Sequence, residues 1–180
     1  MSIVVLNPVQ EAVVTGHSLA PRLGTLTGKT VGLYNNEKLN AANLLELVRA
    51  ELEKNWSFKI VHGVYNPGRI MAPEEWGPDI GACDVVILAN GDCGACSTSG
   101  ISNAIELEKR GIPTLLISTK PFFEAVRISA QLRGMPQIRW AVVDHPIGSL
   151  GEDELKKRAA VAVGQIADLI LERETKRTAA

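Results

Sequence analysis

The run from Asp84 to Ala89 is, after its first residue, continuously apolar, with no alternation of polar and apolar positions. A strand that alternates can leave one face in water. A strand that does not must be covered on both faces, which is the mark of a central strand in a parallel sheet. Helices then have to come from the rest of the chain to do the covering.

The flanking sequence supplies them. From Lys29 onward β-prone runs and helical periodicities take turns. Short strands are predicted over 30–34, 58–64, 84–89, 114–117 and 140–143, centred on Val31, Ile60, Val86, Leu115 and Val142. Between them Leu44, Val48 and Leu52 recur at every fourth position and predict a helix over 40–55. Ile101, Ala104 and Ile105 mark a second helix that ends at Gly111. Phe122, Val126 and Ala130 mark a third, closed by Gly134 and Pro136. Leu155, Ala159, Ala162, Ile166 and Ile170 make the stripe of a terminal helix. The segment 66–78, with three prolines and two glycines, reads as a loop that accommodates one helical turn. Alternating strands and helices predict an α/β fold: a three-layer, doubly wound parallel sheet of the Rossmann-like or flavodoxin-like kind, with about five parallel strands. The 180 residues are expected to form a single α/β domain over 1–180. Residues 1–27 would be an N-terminal arm and loop, with 3–6 as a short edge strand or arm.

Composition narrows the function. Net charge is −1 and no basic stretch stands out, so nucleic acid is not an expected partner. Aromatics make up only 4%, too few for a base-stacking platform. No segment reaches the roughly 18 apolar residues of a membrane span. The first residues lack the basic region of a signal peptide, and the expected location is cytoplasmic. Three cysteines suit a reducing compartment, where a close pair points to redox, catalysis or metal rather than to a structural staple.

In a doubly wound sheet the ligand crevice lies outside the carboxyl ends of the strands. Three segments follow strands and should share that rim: 35–40, 90–100 and 144–148. The middle one contains Cys93-Gly94-Ala95-Cys96-Ser97-Thr98-Ser99 at the start of a helix. Free backbone N–H groups and the helix dipole favour the thiolate there, and the thiolate is the reactive species. Gly94 lets the backbone approach a ligand. Ser97, Thr98 and Ser99 add hydroxyl donors, one of them a candidate helix cap. The Cys-x-x-Cys spacing lets Cys96 resolve a bond made by Cys93. The bland alternative is two packed cysteines. Cys83, at the opposite end of the same strand, is expected to be structural. Zinc needs about four ligands. There is no second cysteine pair, only His145 as a candidate third ligand, so no metal is expected.

Asn36, Lys38 and Asn40 follow the first regular strand. Lys38 is a candidate to bind a substrate carboxylate or phosphate, or to favour a thiolate; otherwise it is a solvated lysine. His145, in Asp144-His145-Pro146, is a candidate general acid or base, or else a hydrogen-bonded turn histidine. The expected ligand is a small, anionic molecule. No bound cofactor is expected, with an external thiol as a candidate reductant, and a homo-oligomer is compatible with the sequence. The dinucleotide fingerprint Gly-x-Gly-x-x-Gly is absent.

These motifs together resemble the UGSC family of selenoproteins and their cysteine homologues. The name motif is selenocysteine-Gly-Ser-Cys, and Cys93-Gly94-Ala95-Cys96 is its counterpart, with Ala95 in place of serine. The likeness extends to Leu19 through Leu23, Gly28 through Asn36, Lys38, Asn40, Glu108, Gly111 through Thr114, Phe123 and His145-Pro146. Selenium at the Cys93 position implies that reactivity matters there. The resemblance names no substrate. Three functions follow: a thiol oxidoreductase that cycles Cys93 and Cys96; a redox-neutral lyase, hydratase or isomerase akin to aspartate/glutamate racemases; and a non-catalytic subunit that uses the loop as an anion nest. The first is favoured.

Overall fold

The computed structural model describes residues 16–171, so the expected strand or arm at 3–6 lies outside the described residues. Five strands form one parallel sheet: β1 (Thr30–Asn35), β2 (Lys59–Val64), β3 (Val85–Ala89), β4 (Thr114–Thr119) and β5 (Ala141–Val143). Their spatial order is β2-β1-β3-β4-β5. Every predicted strand centre falls within its strand, and the doubly wound α/β sheet expected from the sequence is present.

All five side chains of β3 are buried, as an unbroken apolar run at the middle of a sheet requires. Each full-sized one contributes about 1.5–3 kcal/mol over leaving it in water. Pleating divides them between two cores. Val85, Ile87 and Ala89 face the first, with α1 (Ala41–Leu52) and α4 (Glu152–Ile170). Val86 and Leu88 face the second, with α2 (Gly94–Lys109) and α3 (Phe123–Leu132). That gives the three layers.

Loop details refine the sequence reading. Segment 66–78 contains one short 3₁₀ turn, Pro73–Trp76, as expected, and a second, Pro78–Ala82, begins at its end; each is opened by a proline whose fixed φ suits a helix start. Trp76 packs edge-on against Tyr34 and stacked on Tyr65, which joins this stretch to the second core. The helix expected over 40–55 stops at Leu52. Edge strand β5 is closed by a side chain: Val142 N–H donates to Gln165 Oε1 at 2.9 Å, and Gln165 Nε2 donates to the Val142 carbonyl at 2.8 Å. This blunts an otherwise open edge.

At the amino ends of the strands Glu108 is fully buried and gathers three segments. It accepts hydrogen bonds from Ala20 N (2.7 Å), Arg22 Nη1 (2.7 Å) and Thr114 N (2.8 Å). Much of the 19–23 and 111–114 sequence is therefore a clasp that ties the N-terminal segment under the sheet. Among the described residues no helix is long and apolar enough to cross a membrane.

Candidate functional site

Because the order is β2-β1-β3-β4-β5, the connections from β1 and β3 run to opposite faces and leave a crevice between their carboxyl ends. The two loops at that switch point carry the chemistry-bearing residues.

The β3–α2 loop is held open by its own side chains. Asn90 Nδ2 donates to the Gly91 carbonyl (3.0 Å) and to Ser97 Oγ (3.1 Å). Ser97 Oγ donates to the Cys93 carbonyl (3.0 Å), and Ser118 Oγ donates to Ser97 Oγ (3.2 Å). Cys93 occupies the N-cap position of a 16-residue helix and makes no side-chain cap bond. Its surroundings still favour the thiolate. The Cys96 N–H is the largest influence, then the Cys96 thiol; burial opposes them, and the Ala95 N–H and the Lys38 ammonium add smaller effects in the thiolate's favour. Together they hold Cys93 below the ordinary thiol range. Cys96 moves the other way, raised chiefly by burial and then by the Cys93 sulfur. Both thiols are free. The pair thus combines a half-buried sulfur favoured as the thiolate with a buried one favoured as the thiol, three residues apart at the same helix N-terminus.

The β1–α1 loop stands opposite. Asn36 is buried, and its Oδ1 accepts from Gly91 N (3.2 Å) and Lys38 N (3.4 Å), which links the two loops. Its Nδ2 is buried with no partner among the described residues. Gly91 permits this closeness: a Cβ there would lie 2.5 Å from Lys38 Cβ. Glu37 and Asn40 take left-handed backbone conformations, with φ of 58° and 61°. For Glu37 that is an uncommon strain, and strain of this kind concentrates at functional loops.

A recess of about 350 Å³ opens between the loops, lined by Lys38, Leu39, Gly91, Asp92, Cys93, Gly148 and Ser149. A larger hollow, lined by Leu19, Arg22 and Arg139, lies against the clasp segment and the end of α4 and contains neither sulfur.

His145 follows β5 on the same rim. Its Nδ1 is 3.3 Å from Asp92 Oδ1 and 3.2 Å from Thr119 Oγ1. Phe122 sets its ring edge-on to His145, with centroids 5.7 Å apart, and also borders Gly94. His145 therefore lies beside the first turn of α2. Asp92 is itself anchored: its carboxylate accepts from Ile147 N at 2.8 Å and Gly148 N at 2.6 Å. Sequence reading passed over Asp92, although it adjoins Cys93, because its partners come more than fifty residues later in the chain. An acid directly before a reactive cysteine at a strand end was the available signal.

The expected site residues separate into two sets. Cys93 and Lys38 line the recess with Asp92; Asn36, Gly94 and His145 adjoin it through Gly91, Cys93 and Asp92, and Cys96 is buried. Asn40, Ser97 and Ser99 serve the frame. Asn40 Nδ2 donates to the carbonyls of Ile147, Gly148 and Leu150 and so ties the β1 loop to the β5 loop. Ser99 Oγ donates to the carbonyls of Asn66 (3.4 Å) and Arg69 (3.3 Å). Thr98 Oγ1 bonds the Ala95 carbonyl (3.0 Å) within its own helix. Phe123 packs on Trp140 with ring centroids 5.1 Å apart. Cys83 sits at the amino end of β3, where burial pushes its thiol up to about 11. Among the described residues no three His, Cys, Asp or Glu side chains converge as a metal-ion set.

The family model described as UGSC family matches residues 4–172. No curated protein matches the chain.

Proposed function

This chain belongs to the UGSC family, and from that premise we propose that it is a cysteine-dependent thiol oxidoreductase acting on a small, anionic molecule. The observation that carries the reading is the asymmetry of the pair: Cys93 half-buried and held toward the thiolate, Cys96 buried and held as the thiol, both at one helix N-terminus. That asymmetry suits a nucleophile and its resolver. Cys93 also stands at the selenocysteine position of the family's name motif. In the cycle the Cys93 thiolate attacks a substrate disulfide. The substrate S–S bond breaks, a mixed disulfide forms and one thiolate departs. The Cys96 sulfur then attacks Cys93, displaces the second thiolate and leaves a Cys93–Cys96 disulfide. The substrate gains the two electrons that the pair loses, and an external thiol restores the pair. Such a cycle belongs to a reducing compartment such as the cytoplasm. Lys38 orients the anionic group, and His145 moves the proton.

A second reading draws support from the Asp92–His145 contact: redox-neutral catalysis, in which Cys93 and His145 work on a carbon centre and Cys96 is only a donor. Cys96→Ser separates the two. Incubated with dithiodiglycolate, a small disulfide dicarboxylate, the variant should stop after one turnover as a Cys93 adduct visible by intact-mass spectrometry. Sustained turnover of a substrate by Cys96→Ser without reductant would establish the redox-neutral reading instead. Cys93→Ser should be inactive in either case, since a serine hydroxyl hardly ionises near neutral pH.

A further inference from the structure

We propose that Asp92 is a positioning residue: its carboxylate keeps His145 in the Nδ1–H form, so that Nε2 is the nitrogen that gives and takes the proton at the Cys93 recess. The inference rests on the reading that this recess is the reaction site.

A neutral imidazole carries one proton, and the partner of one nitrogen decides the state of the other. Two groups face Nδ1. Asp92 Oδ1 lies 3.3 Å away, and Thr119 Oγ1 lies 3.2 Å away. A threonine hydroxyl satisfies either form, since it both donates and accepts. A carboxylate only accepts, and a bare Nδ1 would set a lone pair against its negative charge. Asp92 therefore selects Nδ1–H, and Thr119 follows. Nor can Asp92 readily turn aside. The backbone N–H groups of Ile147 and Gly148 hold it. A Cβ on residue 148 would come within 3.1 Å of Asp92 Oδ2, so Gly148 leaves the carboxylate its room. The acid next to His145 in sequence, Asp144, is paired instead with Lys120 across the rim. Asp92 lines the recess together with Cys93, and His145 adjoins that lining through its contact with Asp92.

In the disulfide cycle protonated His145 gives its Nε2 proton to the departing thiolate, while the electron pair of the broken S–S bond stays on that sulfur. The neutral ring keeps its other proton on Nδ1 against Asp92. When Cys96 attacks, its thiol proton passes through solvent to Nε2. One thiol and one thiolate are released, and the pair ends as a disulfide.

The ring state is measured by long-range ¹H–¹⁵N NMR on the whole chain with labelled histidine, the His145 signals being identified by their loss in His145→Gln. The wild type should show the Nδ1–H form. Asp92→Asn keeps a carbonyl for the Ile147 and Gly148 N–H groups but turns the group facing His145 into a donor, so the ring should switch to Nε2–H. Thr119→Val should leave it as Nδ1–H. Dithiodiglycolate turnover by Asp92→Asn should fall about tenfold or more in kcat, with KM within about twofold. A wild-type ring in the Nε2–H form, an unchanged ring in Asp92→Asn, or a switch in Thr119→Val overturns the inference. The spectra need no turnover, so failure of the disulfide reading would show separately, in the mass measurement on Cys96→Ser.

Discussion

At the scale of single residues the site is defined by opposite treatment of chemically identical thiols. Cys93, Cys96 and Cys83 differ only in what surrounds them. Cys93 meets backbone N–H groups and an ammonium. Cys96 meets burial and its partner's sulfur. Cys83 meets burial, Asp79 and Asp84. The reactive species is the anion, so iodoacetamide should label Cys93 ahead of both Cys83 and Cys96, with a half-maximal pH below the ordinary thiol value. Peptide mapping across a pH series checks the order, and prior labelling of Cys83 would remove the helix-terminus argument. Lys38 is the charged side chain that acts on both sulfurs. Lys38→Ala should shift the Cys93 profile to higher pH, because a cation that favours the thiolate is gone. It should also erode a preference for dithiodiglycolate over the neutral bis(2-hydroxyethyl) disulfide. An exposed ion contact supplies only about 1 kcal/mol, so the change in that preference should be roughly fivefold.

At the scale of elements the site is a contact between two loops, and its tightness depends on a glycine. A Cβ at residue 91 would strike the Lys38 Cβ, close to the backbone, where no flexible end can swing away. Gly91→Ala should therefore push the β1 and β3 loops apart. The expected cost is about 1–3 kcal/mol of stability by overpacking, read by urea unfolding. Alkylation of Cys93 should move toward the Lys38→Ala profile. An unchanged profile would mean that Lys38 reaches the sulfur whatever the loop spacing. The sheet itself was legible in advance because strand patterning is local: the buried run of β3 and the fourfold repeats of α1 and α4 announce themselves within a dozen residues. The division of labour on the rim was not. Nothing near Asn40, Ser97 or Ser99 in sequence shows that their polar atoms face backbone carbonyls of segments far along the chain or of their own helix turn. Asp92 acquires its meaning only from His145, Ile147 and Gly148, which the β5 connection brings back to it. Residue type and place after a strand find the rim, whereas tertiary partners decide which rim residues remain available.

At the scale of the whole molecule, chemistry and cohesion occupy opposite ends of one sheet. The carboxyl ends of the strands hold the sulfurs, Lys38 and His145. The amino ends hold the Glu108 clasp, in which one buried carboxylate draws together the segment around Ala20, the C-terminal part of α2 and the first residue of β4. Glu108 and Cys96 lie on the same helix, so a reader of sequence alone has equal reason to place Glu108 in the site. The geometry assigns it to stability. Its carboxylate is wholly buried, while Arg22 is only partly so, and the two backbone donors share its charge. Glu108→Gln removes the charge, strands the Arg22 guanidinium and leaves a buried amide N–H₂ beside backbone donors. Breaking a buried pair from one side costs about 3 kcal/mol. For a domain of this size that is a fall in Tm of roughly 6–12 °C. The sulfurs sit at the far end of α2, so the pH profile of Cys93 alkylation should stay that of the wild type at temperatures where the variant is folded. Calorimetry and alkylation on the same preparation test both halves. A wild-type Tm would mean that Glu108 does not hold the N-terminal segment, and a shifted Cys93 profile in folded protein would mean that the two ends of α2 are energetically coupled.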